Sequence, residues 1–422
     1  MGAHATVNCV LSRMLRCALV VVAVSACVVD EPELGAREQY AASPPWKQPA
    51  KWPYQVANPR MIVHYQATGD LSTAQTVLTQ VDHAWTVQVT EQGARAPLPD
   101  TGVAGADGRF DVYLQRGLDS LYVSSTATNA ATPYDDVTTA MVLDPWGQYG
   151  GAEMEPNVFH EFRHASQGTD DWNEHIQVFE AEATMWEALY YGYARLPYVW
   201  ADYQAHPDWT PFKNDNYTTW FMYGGALFLI HLEKTVFSGS LAFANEMWFR
   251  SRSAGTNEPD FVDALGVQLA AKGTTLFDQI VKFNRSRWYT GARANGSLDG
   301  GAQLPDVATR SHVRASGALR TTYVANPQVL GTVYIVVTAA PTDGPTLRVS
   351  LTNIDAKAKP VVQLVGQSAA DHVLDLSSGS TTVPVVGGQV VLAVTMLPSN
   401  GQFDPDSAPT QLYKATVNFD KI

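Results

Sequence analysis

A ten-residue segment in the first half of the chain reads Val158-Phe159-His160-Glu161-Phe162-Arg163-His164-Ala165-Ser166-Gln167. Its apolar flanks and the preceding Glu155-Pro156, typical of a first helical turn, predict a helix. Residues four apart lie about 40° apart around a helix axis, so His160 and His164 can reach one metal ion. Glu161 lies about 60° from His164, near enough to act on a water at that ion. The segment therefore predicts two nitrogen ligands and a carboxylate base on one helix.

Strand-like segments come before this helix, and helical segments follow it. Apolar runs at 61–63, 109–114 and 139–144 predict short strands, while residues 71–92 have helical spacing. We therefore expect a small sheet carrying one helix over residues 60–150. The apolar periodicity that follows the site segment predicts further helices at 172–194, 217–236, 241–250, 260–271 and 275–287.

The last quarter of the chain has the composition of strands. From about His312, short segments rich in Val and Thr alternate with Gly and Pro turns, a pattern typical of a β-sandwich. These segments lie at 329–339, 346–352, 360–365, 389–396 and 411–417. The sequence thus predicts an α+β protein with a first domain at 60–310, a small sheet plus a helical part that carries the site segment, and a β-sandwich-like domain at 311–422.

The N-terminal region has the pattern of an export signal. The chain has three cysteines, Cys9, Cys17 and Cys27. Because none follows, a disulfide scaffold and a cysteine zinc site are excluded. A short basic region precedes an apolar stretch at 17–23, and Val-Ser-Ala-Cys at 24–27 resembles a bacterial lipobox. We predict a lipoprotein signal peptide over 1–26 and a membrane anchor at lipidated Cys27. An ordinary secretory signal with an incidental cysteine is the alternative.

Residues 27–59 contain Pro44, Pro45, Pro49, Pro53 and Pro59, which predicts an extended Pro-rich tether. We expect an exported protein, either a lipoprotein of the bacterial cell envelope, at the outer membrane or periplasmic face, or a secreted protein. The formal net charge is −13, and such a field repels phosphate backbones, so no nucleic-acid partner is expected. With 45% hydrophobic residues, the chain can also bury a large core.

A catalytic zinc ion needs three protein ligands and an open position. Gln167 and Asp170 stand where a metzincin would have Gly and His, so that class is excluded. Asp170 and Asp171 follow His164 too closely for the chain to turn back easily, and His175 is a further possibility.

The next predicted helix offers a better third ligand. Residues 178–187 are apolar around most of the helix, and buried carboxylates are seldom left without a partner or a metal. Glu180 and Glu182 lie about 200° apart, so only one of them can face the ion. We take Glu180 as the leading candidate and Glu182 as the alternative. Glu187 returns to the face of Glu180 and can support a ligand histidine.

Together, the segment at 158–167, Glu180-x-x-Ala183 and Glu187 resemble the gluzincin zinc metallopeptidases, with the HExxH…E pattern. The resemblance is closest to a group of secreted metalloproteases of myxobacteria, and it extends over most of the chain. It implies a zincin-like domain at 60–310, with His160, His164 and Glu180 as zinc ligands and Glu161 as the base. The family usually has Trp where this chain has Met185, with Trp186 one position later, and this difference keeps Glu182 open.

The function expected from this pattern is that of a zinc-dependent endopeptidase acting on a protein or peptide. Glu161 would be the general base for a metal-activated water, and Tyr223 is a candidate donor to the developing oxyanion. By analogy with zincins, we expect the strand at Thr139–Asp144 to pair with extended substrate. A lipid-anchored surface binding protein with a catalytically inactive zincin-like domain is the alternative. An aminopeptidase ranks lower, because the chain has no Gly-x-Met-Glu-Asn-like signature.

Overall fold

A computed structural model describes residues 52–100, 107–118, 120–254, 258–367, 371–406 and 410–422. The predicted signal peptide at 1–26, Cys27 and most of the predicted tether lie outside these ranges. The described chain combines helices with several sheets, which confirms the α+β fold class. No helix within these ranges is both long and apolar enough to cross a membrane.

The first sheet has five strands in the order β1-β2-β3-β5-β4. They are β1 (Tyr54–Ala57), β2 (Met61–Tyr65), β3 (Phe110–Leu114), β4 (Tyr122–Thr128) and β5 (Val137–Leu143). The three central strands are parallel, while β1 and β4 run antiparallel at the two edges. The prediction that the strand at Thr139–Asp144 pairs with substrate is therefore wrong, because β5 already pairs with β3 on one side and β4 on the other.

The sheet begins inside the segment that we predict to be a tether. Strand β1 pairs with β2 from Tyr54 onward, and the buried Trp52 donates a hydrogen bond from its indole nitrogen to the Leu114 carbonyl at 2.8 Å. Asn58 reverses the chain between the two strands, since its side-chain oxygen accepts from the amides of Arg60 and Met61. The folded part thus includes residues 52–59.

The described ranges contain nine α-helices. They are α1 (Leu71–Trp85), α2 (Met154–Gln167), α3 (Ile176–Tyr191), α4 (Pro197–Ala205), α5 (Phe221–Gly224), α6 (Ala226–Thr235), α7 (Ala242–Ser251), α8 (Phe261–Ala271) and α9 (Leu276–Trp288). Helix α4 is absent from the sequence prediction, and the helix predicted at 217–236 is two helices that meet at Gly225. A side chain at Gly225 would come within 2.2 Å of the Gln177 amide nitrogen and 3.1 Å of the Pro211 carbonyl oxygen, so a larger residue there would have to displace the Gln177 side chain.

Helix α2 lies against the sheet and is held there from two directions. Its apolar side contributes Val158, Phe159 and Phe162 to the main hydrophobic cluster, together with Val112 and Met141 of the sheet. Helix α1 is followed directly by a π-helical turn over Thr86–Glu91, and such turns are frequent at functional sites. There the fully buried Gln88 donates to the Phe159 carbonyl at 2.7 Å, which ties α1 to α2.

The C-terminal part forms two further sheets, ordered β11-β10-β13-β8-β6 and β12-β9-β14-β7. Their strands are β6 (Arg310–Val313), β7 (Arg320–Ala325), β8 (Thr332–Thr338), β9 (Thr346–Thr352), β10 (Ala358–Leu364), β11 (His372–Val373), β12 (Ser380–Pro384), β13 (Gln389–Pro398) and β14 (Ala415–Lys421). Buried residues of both sheets, such as Ile335 and Val417, belong to the same hydrophobic cluster as α2. The helical and β-rich parts are therefore in direct contact.

Candidate metal centre

Helices α2 and α3 bring three predicted ligands together. The Nε2 atom of His160 lies 3.2 Å from Glu180 Oε2, and the Nε2 atom of His164 lies 3.5 Å from the same oxygen. Ligand atoms about 2.0–2.1 Å from a tetrahedral zinc ion are about 3.3 Å apart. Both separations are close to that value. The three side chains therefore fit one zinc ion, with two nitrogens and one oxygen as its donors.

The outer nitrogens of both imidazoles have their own acceptors. His160 Nδ1 lies 3.3 Å from Glu187 Oε2, and His164 Nδ1 lies 2.8 Å from Gln167 Oε1. An Nδ1–H group that donates to an oxygen leaves the Nε2 lone pair of a neutral histidine free for a metal. Glu187, which the helix spacing placed on the face of Glu180, therefore orients the imidazole of His160, a predicted ligand.

The alternative ligand, Glu182, points elsewhere. Its two oxygens accept from the Arg163 Nε at 2.9 and 2.7 Å, and one also accepts from the Gln167 amide at 2.6 Å. The Trp186 indole donates to the other oxygen at 2.5 Å, and the carboxylate is completely buried. Glu182 thus has a full set of protein donors on the face of α3 that lies away from Glu180.

The structure also accounts for the register that the sequence left open. Trp186, one position later than in the family pattern, donates to Glu182 rather than contacting the histidines. Its ring also lies under the Arg163 guanidinium, whose centre is 4.8 Å from the ring centroid. The tryptophan is part of the buried ion pair, so its position does not disturb the placement of Glu180.

Glu161 lies beside the two histidines. Side-chain atoms of His160, Glu161 and His164 come within 4.8 Å of one another, and Glu161 is half-buried. Burial raises the pKa of Glu161 above its ordinary value, although the histidine charges act in the opposite direction. A raised pKa suits a carboxylate that must accept a proton and later release it.

Glu180 has the opposite electrostatic setting. Burial alone would raise its pKa, but when the two histidines are protonated the charge of His164 and a hydrogen bond from His160 outweigh burial and lower it below the ordinary value. The group is therefore ionised, which is the form that binds a metal. Two neighbouring carboxylates thus differ in the direction of their pKa shifts, as expected when they have different tasks.

Two tyrosines lie near the centre, and the sequence identified one of them. The ring of Tyr223, on α5, has its centroid 6.2 Å from that of His160. Tyr217 lies in the preceding loop and donates from its hydroxyl to Glu180 Oε1 at 3.1 Å. Asn216 and Tyr217 have φ values of 56° and 60°, which is uncommon for residues other than glycine. The only sequence signal for this turn is the Asn-rich stretch at 214–216, since Asn tolerates that backbone conformation.

Comparisons with known proteins assign no family to the chain. No protein-family model matches it, and neither does any curated protein. Among solved structures, it is similar to a periplasmic inhibitor of g-type lysozyme, PliG, from Salmonella Typhimurium and to a mutant of PliG from Escherichia coli. Each match has a TM-score of 0.19 and 14% identity, covering 27% of this chain and 98% of the inhibitor. Similarity at that level carries no argument about function.

Proposed function

We propose that the chain is a zinc-dependent endopeptidase of the gluzincin type, with a zincin-like domain followed by a β-sandwich-like domain. One observation carries the proposal. A single carboxylate oxygen of Glu180 lies 3.2 and 3.5 Å from the Nε2 atoms of His160 and His164, with Glu161 beside them. Three protein ligands and an adjacent base are what hydrolytic zinc sites require, whereas a structural site does not need Glu161.

The proposed chemistry assigns each side chain a task. When bound, zinc supplies Lewis-acid chemistry by polarising the peptide carbonyl and lowering the pKa of a water. Glu161 accepts the water proton and later delivers it to the leaving amine. Glu187 and Gln167 hold the ligand histidines in orientation. Tyr223 remains our candidate donor to the developing oxyanion.

The proposed substrate site uses β4 rather than β5. Because β4 is the last strand of its sheet, one side of it is not paired within that sheet. An extended peptide can add to such an edge through backbone hydrogen bonds. The pairing of β4 with β5 shifts register between Ser125 and Ala127, and irregularities of this kind often occur beside active sites.

We also propose that the protein acts outside the cytoplasm, either attached to the cell envelope through lipidated Cys27 or secreted. This part of the proposal depends on the N-terminal sequence alone. Mass spectrometry of protein expressed with its full N-terminus shows where the signal is cleaved and whether Cys27 carries lipid. Cleavage before Cys27 with an added diacylglycerol mass is expected, whereas cleavage elsewhere without lipid would indicate an ordinary secretory signal.

The decisive test measures zinc content and hydrolysis on the same preparations. Protein lacking the predicted signal peptide should bind about one zinc per chain, and His160→Ala should lose that zinc. Glu161→Gln should keep the fold and the zinc but lose cleavage of unfolded protein substrates by roughly a thousandfold. Folded protein that takes up zinc no better than His160→Ala would refute the proposal. Bound zinc without hydrolysis would favour the surface binding protein.

A further inference from the structure

A row of aromatic rings leads from the surface to the candidate metal centre. It consists of Tyr198 on α4, Trp220 just before α5, and Tyr223, and we call it the aromatic strip. The Tyr198 and Trp220 rings meet edge to face with centroids 4.7 Å apart, and Trp220 and Tyr223 are 5.4 Å apart. Tyr223 is in turn 6.2 Å from His160. The strip is therefore continuous with the residues proposed to bind zinc.

The outer two rings are unusually exposed. Tyr198 is 47% exposed and Trp220 is 44% exposed, although the two rings contact each other. Trp220 is the most exposed tryptophan within the described ranges. Contiguous exposed apolar surface of this kind marks binding sites more often than isolated exposed residues do. Because the inner end of the aromatic strip lies near His160, a ligand bound to the strip can also reach the metal centre.

The distances limit which part of a ligand can reach the strip. An extended peptide advances about 3.3 Å per residue, and its side chains on one face recur every second residue. Trp220 is two ring contacts away from His160. A peptide whose carbonyl lies at the metal centre can therefore place a side chain one or two residues from the scissile bond on Trp220.

The charges around the strip disfavour an acidic side chain. Glu187 and Glu153 both contact one cation, Arg195, at 3.5 and 2.6 Å. With Glu161 and the ionised Glu180, four carboxylates stand against Arg195 and the two charges of a bound zinc ion, so the surroundings keep an excess of negative charge. A negatively charged side chain on the strip would face this excess of like charge, whereas an uncharged ring would not.

We propose that the aromatic strip is a specificity site for an aromatic side chain of the substrate, one or two residues from the scissile bond. The inference rests on the proposed peptidase function and adds a substrate class to it. Trp220 supplies the flat surface for the substrate ring, and aromatic pairs of this kind prefer edge-to-face or offset contacts. Tyr198 supports Trp220 through their edge-to-face contact.

The test compares peptides that differ at one position near the cleaved bond. The position is varied among Phe, Ala and Asp, and kcat/KM is measured for each peptide. Wild-type protein should cleave the Phe peptide roughly tenfold faster than the Ala peptide, and the Asp peptide most slowly. Trp220→Ala should remove most of the preference for Phe over Ala, and Trp220→Phe should retain it. A loss of equal size for every peptide would overturn the inference, because it would show only a structural role.

A matched control replaces another exposed ring. Tyr54 on β1 is 38% exposed and stacks on Tyr65 with centroids 5.5 Å apart, at the opposite edge of the first sheet from β4. Tyr54→Ala should leave the ratio of the Phe and Ala peptides unchanged. A change as large as that from Trp220→Ala would show that loss of any exposed ring has this effect.

Binding measurements separate failure of the inference from failure of the proposed function. If wild-type protein cleaves none of the peptides, the peptidase proposal fails. Isothermal titration calorimetry of the Glu161→Gln variant with the same peptides still tests whether the aromatic strip binds a substrate ring. Tighter binding of the Phe peptide that is lost on adding Trp220→Ala supports the aromatic strip, and equal affinities refute it.

Discussion

Two carboxylates on helix α3 can be compared directly, because they are two residues apart and both are buried. Glu180 is 6% exposed and Glu182 is fully buried, yet their partners differ in kind. Glu182 is held by Arg163, Gln167 and Trp186, which all donate hydrogen bonds to it. Glu180 faces the Nε2 atoms of two histidines, which a metal ion can take over as ligands.

The difference teaches that burial alone does not identify a functional carboxylate. A buried acid must be paired, protonated or bound to a metal. Glu182 has a permanent cation and no spare oxygen, so it cannot serve as a metal ligand, although it holds the amide of Gln167. The Oε1 atom of Glu180 accepts a hydrogen bond from Tyr217. Its Oε2 atom faces the Nε2 atoms of His160 and His164, which can themselves bind zinc.

The largest expected effect is on zinc affinity, and it distinguishes the face of α3 that carries Glu180 from the face that carries Glu182. Glu180→Ala should weaken zinc binding by more than a hundredfold, because it removes one of three protein ligands, a larger change than the loss of an outer partner. Zinc affinity is measured by competition with a chromophoric chelator. Circular dichroism checks that the variant is folded.

Glu182→Gln is the matched comparison on the opposite face. It should leave zinc affinity within a few-fold of wild type but lower the free energy of unfolding by about 3–5 kcal/mol, because Arg163 would keep a buried charge without its counter-charge. Urea denaturation of the zinc-free proteins measures this. If Glu182→Gln lost zinc and Glu180→Ala kept it, the assignment of the two faces would be reversed.

A third buried carboxylate extends the comparison, because its partner is another acid. Asp171 is 1% exposed, and Asn173 donates its backbone amide to both Asp171 and Asp135 at 3.1 Å. Burial and then the charge of Asp135 raise the pKa of Asp171 to about 8. In the unfolded chain the group ionises near its ordinary pKa of 3.8, so stability is fully present below that pH and declines as the pH rises toward and through 8.

Asp171→Asn should therefore stabilise the protein most in alkaline solution. Each unit of pKa shift is worth about 1.4 kcal/mol, but Asp171 and Asp135 titrate as a pair and only part of the shift belongs to Asp171. We therefore expect a gain of about 2–4 kcal/mol above pH 8 and little gain near pH 4. The asparagine amide can still donate to Asp135. Thermal unfolding of both proteins between pH 4 and 9 measures the effect. A stability difference that did not grow with pH would contradict the raised pKa.

Much of this arrangement follows from local sequence pattern. The HExxH spacing predicted the helix that carries His160 and His164. The apolar composition of residues 178–187 predicted a buried helical segment, and all ten of these residues are buried in the structure. Strand β9 has the predicted bounds, Thr346–Thr352, because its Val and Leu residues alternate with polar ones. Helical periodicity also showed that Glu180 and Glu182 must face opposite sides.

The remaining features depend on contacts that local pattern does not contain. The choice between Glu180 and Glu182 depends on Arg163, which lies on a different helix. Strand β4 was missed because Tyr122–Thr128 is mostly Ser, Thr and Ala, and its pairing with β5 determines which edge of the sheet is left open. Tyr217 was missed because its partner, Glu180, is 37 residues away.

The smallest expected effect concerns Tyr217, which donates a hydrogen bond to Glu180 but not to Glu182. Tyr217→Phe removes only the hydroxyl that donates to Glu180 Oε1, at a cost of about 1 kcal/mol, so zinc affinity should fall by roughly fivefold. Tyr223→Phe is the matched control, and it should leave zinc affinity unchanged while lowering kcat if Tyr223 stabilises the oxyanion. Zinc dissociation rates and kcat measured on both variants separate these roles. If Tyr217→Phe lowered kcat and left zinc binding intact, Tyr217 rather than Tyr223 would be the donor to the oxyanion.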